Sequence, residues 1–264
     1  MNKPVDPGPD KPLYSAQRQQ AILHALAVTG RVDVAAMADE LSVTGETVRK
    51  DLIALERHGR LRRVHGGAIP LQDLSFEPEV TSRVEYAEEK RRIAKAALAH
   101  LPRAGTILID AGSTTARLAE LIPPDRHLTA FTNTLPTALA LAGKPNITVY
   151  TLGGRVRNLT LAEVDSWAAR TLSEINVDVA FLGANGISTD RGLTTPDAAE
   201  AAVKRLMLGC ARRRILLSDH SKIGQVSTHK YGELTDVDLL ITDAGITGTD
   251  EKALHAAGLA LEKT

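Results

Sequence analysis

The 264-residue chain is short of several things, and each shortage narrows its possible roles. It has one cysteine, Cys210, so no internal disulfide can form; the apolar helical surroundings "VKRLMLGCARR" read as a packed core thiol, not a nucleophile. Aromatic residues make up only 3% of the chain, which leaves Leu, Val, Ile and Ala to fill the core of a 43% hydrophobic, ordinarily globular sequence. No apolar run reaches membrane-spanning length, and the N-terminus lacks the charged-then-apolar plan of a signal peptide, so a cytoplasmic protein is expected. Net charge is absent too: 32 Lys and Arg balance 32 Asp and Glu, which argues against a non-specific architectural DNA binder.

The distribution of charge is less even. Between Thr44 and Gly66 stand Arg49, Lys50, Arg57, Arg60, Arg62 and Arg63, opposed by Glu46, Asp51 and Glu56. Residues 1–14 are rich in Pro and charge and read as a disordered lead-in. Ser15 is placed to cap a helix from Ala16 to Thr29, which Gly30 stops. A short helix over Val34–Leu41 follows, then one over Gly45–His58 capped by Thr44, with Val48, Leu52 and Leu55 at helical spacing. "RLRRVHGGA" reads as a hairpin, and the whole of 15–68 as a small all-α winged helix-turn-helix domain. In that arrangement Thr44, Glu46, Thr47, Arg49 and Lys50 face the major groove, with Arg49 suited to a bidentate guanine contact. Arg57, Arg60, Arg62 and Arg63 suit phosphate contacts. The bland alternative is a solvated basic face or a protein-contact module.

Residues 69–85 have weak periodicity and two prolines and read as a linker. From 86 to 264 strands and helices alternate, which implies an α/β domain with a largely parallel sheet. Small polar groups cluster after successive strands: Asp110, Gly112, Ser113, Thr114 and Thr115, then Asn133, then Gly153, Gly154 and Arg155, then Asn185, then Asp219 and Lys222, then Asp243. Strand C-terminal ends of an open parallel sheet form the ligand crevice. At "DAGSTT" a glycine permits close approach and free helix N–H groups point at an anion, with an ordinary capped helix as the alternative reading.

Two stretches resemble one family. "RQQAILHALAVTGRVDVAAMADELSVTGETVRKDLIALERHGRLRRVHGGA" resembles the DNA-binding domain of DeoR-type bacterial transcription regulators. "DAGSTTARLAELI", "TNTLPTALAL", "TLGGRV", "DVAFLGANGIS", "GLTTPDAAEAAVKR", "LSDHSKIG" and "ITD" resemble, in order and spacing, the sensor domain of the same family. That domain is similar in fold to ribose-5-phosphate isomerase, and its usual ligand class is a phosphorylated sugar. The resemblance implies a pocket of Asp110, Ser113, Thr114, Thr115, Asn133, Gly153, Gly154, Asp219 and Lys222. Glu200 and Lys204 are either lining residues or a solvated i, i+4 pair.

The departures are specific. Thr44 stands where a serine is usual and Lys50 where a second arginine is usual. After "GGRVRN" the chain has "LTLAEVDS", which places Glu163 and Asp165 near the crevice. Where the isomerases carry an acidic Asp-Gly-Ala-Asp pattern the chain reads "GANG", with no carboxylate for acid–base work. The expectation is therefore a regulator and not an enzyme: a repressor of operator DNA, at least dimeric, controlled by a phosphorylated sugar, with no metal or cofactor. A moonlighting enzyme and a constitutive DNA binder remain the rival classes.

Overall fold

The computed structural model describes residues 15–57, 60–64, 66–70, 74, 75, 77, 80 and 86–264. The expected lead-in at 1–14 lies outside them, as do the side chains of Arg57 and Arg62. The chain divides into two units, Met1–Asp73 and Leu74–Thr264.

In the first unit the order is α1 (Ser15–Thr29), β1 (Val32–Asp33), α2 (Val34–Glu40), α3 (Gly45–Arg57), β2 (Leu61–Val64) and β3 (Gly67–Pro70). Ile22, Leu26, Met37, Val48, Leu52, Leu55 and Leu61 form its core, and the apolar stripe of α3 is the face turned inward. Gly30, at φ +73°, ends α1 and donates its N–H to Leu26 O at 2.9 Å. Asp33 caps α2 by accepting from Ala35 N at 2.8 Å and Ala36 N at 3.1 Å. Three details differ from the sequence reading. Ser15 is the first residue of α1, not its cap, and its hydroxyl donates to buried Asp51 at 2.9 Å, a partner 36 residues away. The hairpin gains a third strand, in the order β1-β3-β2, because two-residue β1 is too short to show alternation. The strand β3 also takes in Ile69 and Pro70, which the reading had assigned to the linker.

In the second unit the elements are α4 (Ala87–Ala97), β4 (Ala104–Ile109), α5 (Ser113–Leu121), β5 (His127–Thr132), α6 (Leu135–Ala142) and β6 (Ile147–Thr151). There follow β7 (Arg155–Val156), β8 (Glu163–Val164), α7 (Asp165–Ser173), β9 (Val177–Leu182), β10 (Gly186–Ser188), β11 (Gly192–Thr195) and α8 (Ala198–Cys210). The last are β12 (Ala211–Leu217), β13 (His229–Gly232), β14 (Leu239–Thr242), α9 (Gly248–Ala256) and β15 (Leu261–Lys263). Seven strands form one sheet in the order β15-β14-β12-β9-β4-β5-β6, and every pairing in it is parallel. One apolar core packs α4, α5 and α6 on one face, and a second packs α7, α8 and α9 on the other.

Strand order reverses between β4 and β9: the chain runs outward through β5 and β6, then returns to build β9, β12, β14 and β15 on the other side. In open parallel sheets, ligands bind outside the strand C-terminal ends at such a switch point. Sequence periodicity missed the small antiparallel sheet β10-β11-β13. It also missed α9 and β15, since Leu254 is the one buried residue of α9 and leaves almost no stripe to read. Among the described residues no helix is long and apolar enough to cross a membrane.

Candidate DNA-reading surface and ligand crevice

On α3 the inward residues are fully committed. Val48, Leu52 and Leu55 are buried, and Asp51, on the same inner side, is held by Arg18 Nε at 2.7 Å. Thr44 Oγ1 accepts from Thr47 N at 3.2 Å, so the expected cap is present, and the two hydroxyls lie 2.9 Å apart. The outward residues are uncommitted by comparison. Lys50 is exposed, and Arg49 meets Glu46 only at 3.5 Å with both side chains more than half exposed. Arg60 is exposed, whereas Arg63 is tied back to Glu56, its backbone N at 2.8 Å and its Nε at 2.7 Å. Arg63 therefore braces the first wing strand against α3. Gly67 lets the wing close: a Cβ there would stand 2.0 Å from Val32 O.

In the second unit the strand ends are laced together. Asn133 Oδ1, after β5, accepts from Ala111 N, after β4, at 2.8 Å. Glu163 N donates to Asn133 O at 2.6 Å, and Glu163 Oε2 accepts from Gly153 N, after β6, at 2.7 Å. Glu163 thus ties the start of α7 to the strand ends and does not project into open space. Gly153 and Gly154 both have positive φ, and a Cβ on Gly154 would stand 2.2 Å from Val164 O. Arg155 of β7 and Asp165, the first residue of α7, form an exposed pair at 2.7 Å.

The start of α5 differs from an ordinary capped helix. Its N-cap is Gly112, which has no side chain to accept from the first-turn N–H groups. Thr115 is fully buried and its hydroxyl donates back to Gly112 O at 3.0 Å, while Ser113 is partly exposed. The first-turn N–H groups of α5 therefore have no side-chain acceptor from the N-cap, as at the starts of α4, α6 and α7. Asp219 caps the following 3-10 turn, accepting from Ser221 N at 3.1 Å. Among the described residues the Lys222 ammonium is in no ion pair, and it is partly exposed.

Beneath the crevice lies a set of buried ions. Asp110, with no exposed surface, is paired through Oδ2 with Lys204 of α8 and accepts from Gly183 N at 3.0 Å. Lys204 Nζ also donates to Gly183 O at 3.0 Å, and Tyr231 of β13 donates to the same oxygen at 2.9 Å. Burial pushes the Asp110 carboxyl above the usual carboxylate range, only partly offset by Lys204 and Gly183 N–H. Burial likewise holds the Tyr231 phenol well above its ordinary value. Glu200 and Lys204 are both buried and do not pair with each other, so the solvated i, i+4 alternative fails. Glu200 instead accepts from Thr160 and Arg157. Arg157 is shared among Glu200, Glu77 at 2.8 Å and Asp197 at 3.3 Å. Sequence reasoning singled out neither Arg157 nor Tyr231, Thr160 and Glu77. Their partners lie between 40 and 80 residues away, and no local signal announces them. Cys210 is buried, as a packed core thiol should be, and burial pushes its thiol up to about 11.

Comparison with known proteins settles the family. The model of the DeoR-like helix-turn-helix domain matches residues 18–73, and that of the DeoR C terminal sensor domain matches residues 85–244. The chain belongs to the DeoR family. Among DeoR-family relatives, the HTH-type transcriptional regulator GolR of Listeria innocua is 34% identical over 94% of this chain and 98% of its own length. The HTH-type transcriptional regulator GlpR of Haloferax volcanii is 32% identical over 94% and 97%. The HTH-type transcriptional repressor GlcR of Bacillus subtilis is 32% identical over 88% and 89%. Among solved structures, ribose 5 phosphate isomerase A from Neisseria gonorrhoeae has a TM-score of 0.38 at 20% identity, covering 53% of this chain and 54% of that one. A probable sor operon regulator from Shigella flexneri has a TM-score of 0.44 at 12% identity, covering 67% and 92%. As a DeoR-family member the chain is a DNA-binding transcription regulator with a sensor domain, in keeping with the regulator reading and not the enzyme one.

Proposed function

We propose that this regulator is a repressor whose operator affinity is set by a phosphorylated sugar bound in the strand-end crevice. The observation that supports the effector class most is the start of α5: an uncapped helix N-terminus behind Gly112, beside the switch point of a parallel sheet. The phosphate accepts from the N–H groups of Ser113, Thr114 and Thr115, and the Lys222 ammonium adds a compact positive charge. Asn133, Gly153, Gly154 and Asp219 shape the neighbouring strand ends, with Asp110 and Lys204 as the charged floor. On the other unit Thr44, Glu46, Thr47, Arg49 and Lys50 read bases, while Arg57, Arg60 and Arg62 hold phosphates. Two copies of the chain present two such helices to paired half-sites.

Ligand control requires different affinities in the DNA-bound and released arrangements; a coupling of ~1–3 kcal/mol changes operator affinity by about 5- to 150-fold. The test is fluorescence anisotropy of an operator fragment, with a panel of pentose, hexose and amino-sugar phosphates. At least one member releases the fragment and raises the melting temperature, and Lys222→Ala weakens it far more than it weakens the free sugar. Operator affinity and melting temperature blind to the whole panel would overturn the reading.

A further inference from the structure

We propose that Trp167 is the platform on which the sugar portion of the effector stacks, and so a residue that selects among phosphorylated sugars. The proposal rests on the sugar-phosphate reading of the crevice. Trp167 is the chain's single tryptophan and is 74% exposed, in a chain with only 3% aromatic residues.

Its position ties it to the crevice. Trp167 lies in the first turn of α7, and Glu163, just before that helix, bonds both Asn133 and Gly153. The indole Cε3 lies 3.9 Å from where a Cβ on Gly153 would stand, so the ring lies beside Gly153, just after β6, with room for no more than a methyl group between them. The phosphate grip starts after β4, and β5 alone separates β4 from β6. Two inter-strand spacings put the ends of β4 and β6 about 10 Å apart. Asp165, two residues before Trp167, holds Arg155 in an exposed ion pair at 2.7 Å. An aromatic plane beside charged hydrogen-bonding groups suits a sugar, whose C–H face packs on the ring while its hydroxyls reach the charges.

The single tryptophan is also the reporter. Full-length protein is titrated with ribose 5-phosphate, glucose 6-phosphate, fructose 6-phosphate, N-acetylglucosamine 6-phosphate and inorganic phosphate, following tryptophan emission and melting temperature together. The sugar phosphates that stabilise the protein shift the emission; inorganic phosphate stabilises it without doing so. Trp167→Ala weakens the best sugar phosphate by roughly 3- to 10-fold and flattens the ranking of the panel, and Trp167→Phe keeps most of both. Inorganic phosphate affinity changes less than about two-fold. Stabilising sugar phosphates that leave emission unmoved, with Trp167→Ala ranking them as wild type does, overturn the platform alone. Dissociation of Trp167→Ala into smaller species by sedimentation equilibrium, with ligand ranking intact, overturns it in favour of a contact between copies. A wild-type protein that no sugar phosphate stabilises overturns the effector reading, and the platform with it.

Discussion

Asp110 and Lys204 have both left water, and a buried ion pair is tolerated only where the remaining hydrogen-bonding valences are used. Here Gly183 serves both ions, its N–H on Asp110 and its carbonyl on Lys204. Asp110 Oδ1 has no partner among the described residues. Removing one ion strands the other, so Lys204→Met should cost about 3–5 kcal/mol of unfolding free energy. Lys204→Met combined with Asp110→Asn should recover more than half of that in a denaturant titration. Asp243 shows the opposite balance. Burial raises its carboxyl, but His220 N at 2.8 Å, Gly245 N at 2.9 Å and the His220 ring outweigh burial and hold it below the ordinary carboxylate value. A depressed carboxylate contributes stability that is full above its unfolded pKa of about 3.9 and is lost as pH falls through the lower folded value. Asp243→Asn should therefore lower the melting temperature at pH 7, and the deficit should shrink as pH falls below about 3.9.

At the scale of elements, α3 separates two kinds of arginine. Arg49 projects from a helix whose other face is wholly buried, whereas Arg60 sits at the start of the wing. Arg49→Ala should relax preference at one base pair at a cost of roughly 1–3 kcal/mol. Arg60→Ala should weaken all sequences alike and lower the salt slope by about one, both measured by anisotropy across a salt series. The apolar face of α3 was legible because Val48, Leu52 and Leu55 repeat at helical spacing. The commitment of Arg63 to Glu56 was not, since a basic residue in a wing looks the same whether it faces DNA or its own helix. The α5 loop shows the same limit. A Ser/Thr run beside a glycine fits both a capped helix and an anion grip, and only the structure shows that Gly112 stands at the N-cap and leaves α5 without a side-chain cap.

At the scale of the whole molecule, the two units keep separate cores, with Leu52 in one and the two faces of the seven-stranded sheet in the other. Leu52→Ala should cost about 2–5 kcal/mol in the first unit and abolish operator binding. The same variant should leave the unfolding transition of the second unit unchanged, as read by calorimetry. The amino-acid sequence by itself determined the two-part architecture, the alternation of strand and helix, the inward and outward faces of α3, and the run of polar residues at strand ends. These follow from local periodicity and capping, which act over a few residues. Only the tertiary structure decided which polar residues remain free and which are taken. Asp110 meets Lys204 across 94 residues and Arg157 meets Glu77 across 80. Such pairings depend on strand order and on where the sheet reverses direction. Local propensity carries no information about either.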